Sequence, residues 1–288
     1  MSWLFYPGFF SSSPVHVALV IGGLSALVCG LVGTFAVLRG QSYAGHALAD
    51  LSVTGGSASY LGSISPLWGF AGMGVLAAGA MDMIGVRNQR GRDLATGIVR
   101  GVGLGLAALF LYWDTLHTST TGASITILFG SMFTISTSSI PLVAAFALPA
   151  LVIIGLLFRP LLLSSVSADL AAARGVRVRL TGLACLVAIA LAVSLAAMTV
   201  GAILSTALLV GPAAIALRLT STPGRATIAA AAVALAATWL GVLLAYDSFT
   251  WPPSHDGWPV SFFIVALIFV AFLVAQPIGR RRIRQVEG

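Results

Sequence analysis

Two ionisable side chains, His46 and Asp50, stand four residues apart inside an otherwise apolar stretch of this chain. On a helix, this spacing places both side chains on one face, one turn apart. An imidazole nitrogen and a carboxylate oxygen suit Zn²⁺, Mn²⁺ or Fe²⁺, although two ligands alone do not complete a site. The alternative is a helix-packing pair, with the histidine hydrogen-bonded to its own aspartate. Either interpretation predicts a partner, a cavity or a transport path beside them, because charges inside a membrane span are costly.

The composition indicates the solvent in which these residues must work. Of the 288 residues, 58% are hydrophobic and 8% are charged, and the mean hydropathy is +1.03. A soluble domain would carry about 25% charged residues, so the chain is predicted to be an all-α integral membrane protein. No polar segment is long enough for a separate soluble domain. We therefore predict one transmembrane domain over residues 1–288.

The apolar runs predict the elements that position the pair. A membrane span needs about 20 apolar residues, and we predict nine spans, of which one pair depends on a break near Met198 to Gly201. Without that break the count would be eight. The short apolar piece 125–133 cannot cross and is predicted to be a re-entrant or surface helix. The predicted spans are 14–38, 42–62, 66–86, 94–113, 141–158, two within 181–217, 226–245 and 260–278.

The charges indicate orientation and exclude one class of function. The fifteen basic residues are all arginine, and the net charge is +7. With nine spans and an outer N-terminus, every arginine falls on the cytoplasmic side or in the inner part of a span, as the positive-inside rule predicts. Topology thus explains the basic excess without nucleic acid. The absence of lysine excludes a Walker A motif, so the chain is no ATPase, and ATP hydrolysis is expected in a partner chain.

Several segments, in order along the chain, carry a family resemblance. Together they resemble the permease subunit of ABC importers for divalent metals, the ABC-3 family that takes up zinc, manganese or iron, over about residues 14–275. In that family the carboxylate of the second span comes first and the histidine four residues later, whereas here His46 precedes Asp50. The matching segments are 37–39, 42–48, 92–99, 129–131, 168–176, 200–204 and 207–214.

The resemblance implies a type II ABC importer-like permease whose cargo is Zn²⁺, Mn²⁺ or Fe²⁺, with no permanently bound cofactor. It implies that His46 and Asp50 are transient metal ligands, and Asp247, at the outer end of a later span, is the best third candidate. His255 and Asp256 lie in an outer loop rich in tryptophan and proline. They could capture metal or dock a binding protein, or the loop could be a rigid hairpin with tryptophan at the membrane interface.

The resemblance also implies the partners. These are an ABC ATPase subunit, an extracytoplasmic metal-binding protein and a second permease copy in a homodimer, in the plasma membrane of a bacterium. Segment 164–180 is similar to the family's coupling segment and is expected to contact the ATPase; the alternative is an ordinary connecting loop. Its candidate contact residues are Asp169, Ala173, Arg174 and Gly175.

Two other functions remain open at this stage. The same architecture could carry a metal chelate or cofactor such as a siderophore, haem or cobalamin, and His46 and Asp50 would then be packing residues. The chain could also be a non-transporting membrane scaffold, since the ATPase must be separate in any case. The residues alone do not choose among zinc, manganese and iron.

Overall fold

In the computed structural model, which describes residues 9–62, 64–84, 89–118, 122–130, 132–251 and 257–287, all regular secondary structure is helical. Eleven α-helices follow one another among these residues. They are α1 (Ser13–Leu38), α2 (Ser42–Leu61), α3 (Pro66–Ile84), α4 (Gln89–Thr118), α5 (Gly122–Phe129), α6 (Ile140–Val166), α7 (Ala168–Ala173), α8 (Val178–Thr199), α9 (Ala202–Leu219), α10 (Pro223–Ser248) and α11 (Val260–Glu287).

The helices confirm a multi-pass membrane protein. Among the described residues, six helices are long and apolar enough to cross a membrane: α1, α6 with the turn before it, α8, α9, α10 and the first two-thirds of α11. Three further helices, α2 to α4, have at least 19 residues each but fall outside that set. The all-helical prediction is therefore confirmed, while nine crossings remain a prediction.

Several helices are longer than the apolar runs that predicted them. The fourth span was predicted over 94–113, but α4 extends from Gln89 to Thr118. The fifth was predicted to end at Phe158, but α6 continues through Arg159 and Pro160 to Val166. Hydropathy drops at the first charged residue, whereas the helical hydrogen bonds of the backbone continue regardless of side-chain polarity. The predicted bounds therefore mark the apolar part of each helix and miss its polar ends.

The predicted break in the long apolar segment is present at Val200 and Gly201. Gly201 has φ +95° and separates α8 from α9. The short helix α5 ends at Gly130, which also has a positive φ of +78°. A Cβ on Gly201 would lie 2.4 Å from the carbonyl oxygen of Leu128, and one on Gly130 would lie 2.5 Å from that of Thr199. Two glycines thus let the end of α5 dock directly into the break.

Helix α2 lies in the core of the protein. Helix α1 packs among α6, α8, α9 and α10, and α2 packs against α3, α4, α8 and α9. The backbones of α1 and α9 approach so closely that a Cβ on Gly33 would lie 1.9 Å from the carbonyl oxygen of Leu209. Buried hydroxyls on α2 donate to its own carbonyls, as Ser52 does to Leu48 (2.7 Å) and Ser57 to Val53 (2.8 Å). Helix α2 is thereby buried despite its polar side chains.

Candidate functional site

His46 and Asp50 share one face of α2, and both contact the guanidinium of Arg100 on α4. The Arg100 Nε forms an ion pair with Asp50 Oδ2, and the Arg100 Nη2 donates a hydrogen bond of 2.7 Å to His46 Nε2. The Asp50 side chain is 12% exposed and that of Arg100 is 30% exposed. One edge of the planar guanidinium therefore spans two side chains that lie one helical turn apart.

The contacts of His46 identify its tautomer. A guanidinium can only donate hydrogen bonds, so Nε2 of His46 must accept the bond from Arg100. The hydrogen of the neutral ring then lies on Nδ1, which is 3.3 Å from the Thr206 Oγ1 of α9 and donates to it. Both ring nitrogens thus have partners other than Asp50. The site is a cluster that joins three helices, and it differs from the alternative of a histidine bonded to its own aspartate.

The Asp50 carboxylate is paired with a cation inside the protein. Its Oδ2 is buried beside the Arg100 Nε. A buried carboxylate without a compensating cation would be strongly unfavourable. The guanidinium therefore balances the only charge that α2 carries into the protein interior.

Local packing explains why Arg100 reaches α2. The Thr54 Oγ1 of α2 donates a hydrogen bond of 2.7 Å to the carbonyl oxygen of Gly103, about one turn after Arg100 on α4. Gly103 has no side chain to hold the helices apart, and a Cβ there would lie 2.5 Å from Leu51 Cδ2. This close crossing of α2 and α4 brings the arginine side chain level with the His46–Asp50 face.

Sequence reasoning missed Arg100 because it assigned all arginines to membrane topology. A usable signal was present, since Arg100 lies between Val99 and Gly101 in the fourth predicted span. An ionisable residue inside a span is a functional candidate by itself and requires a partner. Asp50, on another span, was the available carboxylate.

The other predicted ligands lie apart from this cluster or outside the described residues. Asp247 is buried near the end of α10, with 2% exposure, and its carbonyl oxygen accepts a hydrogen bond of 2.7 Å from the Thr250 hydroxyl. In the part of the chain that the structure describes, no three His, Cys, Asp or Glu side chains form a group able to hold one metal ion. His255 and Asp256 lie in the segment 252–256, outside the described residues.

The predicted coupling segment contains its own short helix, α7. Ser167 caps it, since the Ser167 Oγ accepts a hydrogen bond of 3.2 Å from the backbone N–H of Leu170. Gly175, with φ +79°, turns the chain toward α8. Just inside α8, the Arg179 Nε donates a hydrogen bond of 3.2 Å to Asp82 Oδ2 on α3. The four predicted contact residues Asp169, Ala173, Arg174 and Gly175 are all exposed.

These features define a helical, multi-pass membrane protein with a charged cluster between its helices and an exposed helical segment at one end. Residues 13–276 match the ABC 3 transport family. The chain belongs to this family, as the ordered motifs of its sequence predicted.

Two relatives and a solved structure extend this finding. The chain is 26% identical over 276 residues to the manganese transport system membrane protein MntC of Listeria monocytogenes, covering 96% of each chain. It is 32% identical over 202 residues to the zinc transport system membrane protein TroC of Treponema pallidum, covering 68% of each. Its fold matches the structure of PsaBC from Streptococcus pneumoniae in complex with Fab, with a TM-score of 0.78, 24% identity and coverage of 93% of this chain and 92% of that one.

Proposed function

We propose that this chain is the permease subunit of an ABC importer for a divalent transition metal, with manganese or zinc as the cargo. The observation that carries the proposal is the pair His46 and Asp50, whose donor atoms both contact the Arg100 guanidinium between α2 and α4. Membership of a transport family favours transport over a scaffold role. The names of the relatives support manganese and zinc above other cargo.

The donor set fits transient binding of such a cargo. His46 offers an imidazole nitrogen and Asp50 a carboxylate oxygen, and the Thr206 hydroxyl lies on the far side of the imidazole, 3.3 Å from Nδ1. Few protein ligands are an advantage on a transport path, because an ion that binds too tightly leaves slowly. In this proposal Asp247, buried near the end of α10, is a separate ligand near the outer entrance.

The orientation belongs to the same proposal. Nine helices of 18 or more residues among the described residues would serve as nine spans, with the N-terminus outside and the C-terminus in the cytoplasm. Asp50 is eight residues into α2, which at 1.5 Å per residue is about 12 Å from the inner end of that helix. In this orientation Asp50 would lie near the middle of a bilayer core of about 30 Å, with His46 one helical turn closer to the inner side.

The energy would come from a separate ATPase that contacts segment 164–180. Helix α7 supports this role because it is short, capped and exposed, and because the apolar side chains of Val166 and Leu170 are 82% and 46% exposed beside it. Exposed apolar side chains next to charged ones suit a protein contact. An extracytoplasmic binding protein would deliver the metal, and a second copy of this chain would complete the transporter.

The proposal is tested by uptake of radioactive manganese and zinc in cells that depend on this transporter. We expect His46→Ala and Asp50→Asn each to lower uptake by about tenfold or more, because each removes a ligand. His16→Ala is the matched control, since His16 lies exposed at the start of α1. Normal uptake by the double variant His46→Ala/Asp50→Asn, at normal membrane abundance, would exclude the metal path through this cluster.

A second cargo class is favoured by one observation, the guanidinium that already fills the space between His46 and Asp50. A pair occupied in this way could be purely structural, and the cargo would then be a metal chelate or cofactor that passes elsewhere. The two functions are separated when wild-type uptake of an iron–siderophore complex, haem and cobalamin is measured beside uptake of the free metals. Uptake of one of these chelates without uptake of free manganese or zinc would support this second function.

A further inference from the structure

The cluster raises the question of how a metal cation can use donor atoms that already bind a cation. The His46 Nε2 has one lone pair in the ring plane, and it accepts the 2.7 Å hydrogen bond from the Arg100 Nη2. A metal ion would bind the same lone pair at about 2.0–2.2 Å. The two partners therefore exclude each other at this nitrogen.

The carboxylate leads to the same conclusion. Asp50 Oδ2 is buried and paired with the Arg100 Nε, so a divalent ion on that oxygen would lie within a few ångströms of a guanidinium that is always charged. Like charges at such distances repel strongly where water is largely absent. Metal binding through both residues requires the guanidinium to withdraw.

Arg100 has room to withdraw. Its side chain is 30% exposed, whereas that of Asp50 is 12% exposed. The neighbouring positions Gly101 and Gly105 have no atom within 4 Å of where a Cβ would be. The partial exposure of the guanidinium and the absence of side chains at these two positions leave space beside the pair into which a long side chain can move.

We propose that Arg100 is a tethered counter-cation that competes with the cargo for His46 and Asp50. When no metal is bound, the guanidinium neutralises Asp50 and occupies the lone pair of His46. An arriving metal displaces it, and its return helps to expel the metal. Arg100 thus keeps binding weak enough for transport. This inference rests on the proposed function, because it takes a divalent metal as the cargo.

The inference is tested by Mn²⁺ binding to the full-length permease in lipid nanodiscs, with wild type and Arg100→Met compared at equal ionic strength. Arg100→Met removes the competing charge and keeps much of the side-chain volume. We expect its affinity for Mn²⁺ to rise by about tenfold or more, within the usual range for coupled binding. Metal uptake should fall at the same time, because release of the ion becomes slow. An affinity equal to or below that of wild type would overturn the inference.

Two further variants make the result specific. Arg100→Lys retains a mobile cation and should keep an affinity close to that of wild type. Arg100→Met/Asp50→Asn removes the ligand together with the competitor and should lose the gain. A general loosening of the structure would instead raise the Mn²⁺ affinity of Arg100→Lys, or of Arg100→Met/Asp50→Asn, above that of wild type. Such a rise in either variant would contradict a role as competitor.

Arg100→Met leaves a buried carboxylate without its partner and could fold poorly without metal. The same comparison can then be made from thermal unfolding with and without Mn²⁺, because a ligand that binds the folded state raises its unfolding temperature. We expect Mn²⁺ to stabilise Arg100→Met more than wild type, and an equal or smaller shift would refute the inference. Failure of wild type itself to take up manganese or zinc would refute the proposed function instead, so the two failures are distinguishable.

Discussion

Gly201 offers a sharp test of the way α5 docks into the break between α8 and α9. With φ +95° and ψ 156°, it occupies a backbone region that is essentially restricted to glycine, and another residue there costs about 1–3 kcal/mol. In Gly201→Ala the new Cβ would also lie 2.4 Å from the Leu128 carbonyl oxygen and 2.6 Å from the backbone nitrogen of Gly130. These neighbours are backbone atoms and cannot rotate away.

The two effects act together. Forcing an extra carbon into a packed position typically costs about 1–3 kcal/mol, so the total destabilisation by Gly201→Ala is about 2–6 kcal/mol. At about 2 °C per kcal/mol for a chain of this size, the unfolding temperature should fall by roughly 4–12 °C. The measurement is thermal unfolding of the detergent-purified protein, followed by size-exclusion chromatography of the fraction that survives heating.

The matched control is Gly72→Ala on α3. Gly72 is helical and exposed, and no atom lies within 4 Å of the position of its Cβ. Alanine is the better helix former by about 0.5–1 kcal/mol, so this variant should unfold at or slightly above the wild-type temperature. If Gly201→Ala unfolds at the same temperature as Gly72→Ala, the break at positive φ and its contact with Gly130 are not formed in the protein. The reasoning then fails.

Two smaller predictions concern the crossing of α2 with α4 and the cap of α7. Thr54→Val removes the hydrogen bond to Gly103 at nearly constant side-chain volume and should lower the free energy of unfolding by about 0.6–1.5 kcal/mol. Ser57→Ala is the control, because it loses hydrogen bonds only within its own helix, and it should cost less. Equal losses in thermal unfolding would show that the interhelical hydrogen bond is unimportant. Ser167→Ala removes the cap of α7, worth about 1 kcal/mol, and should lower metal-stimulated ATP hydrolysis of the assembled transporter several-fold, while Ser165→Ala two residues away should leave it unchanged. Unaltered coupling in Ser167→Ala would argue that α7 is an ordinary connection.

Much of the fold could be predicted because membrane helices are constrained by their solvent. Apolar runs located every long helix, and the break near 198–201 followed from a segment too long for one span and from the glycine within it. The short piece at 125–133 was predicted as a helix that does not cross, and α5 has eight residues. The helix ends were less predictable, since the backbone continues its hydrogen bonding past the apolar region.

The site was predictable only in part. The spacing of His46 and Asp50 correctly placed them on one face, because that face follows from helical geometry alone. The contacts of that face depend on which helices pack together and at what height. Arg100 lies 50 residues from Asp50 in the sequence, and Thr206 lies 160 residues from His46. Neither contact follows from local periodicity, and only the charge of Arg100 inside a span indicated that it needed a partner.

Helix α8 has a mechanical consequence for the whole molecule. It runs without interruption for 22 residues from Val178, just after α7, to Thr199, just before the break, a length of about 33 Å. An unbroken helix is stiff along its axis, so a displacement of one end also moves the other end. Beyond it, Gly201 is the first residue with a positive φ. Thr206 follows about one turn into α9. The chain thus joins a straight, stiff helix to a tightly packed glycine break, and the helix after that break carries the hydroxyl that contacts His46.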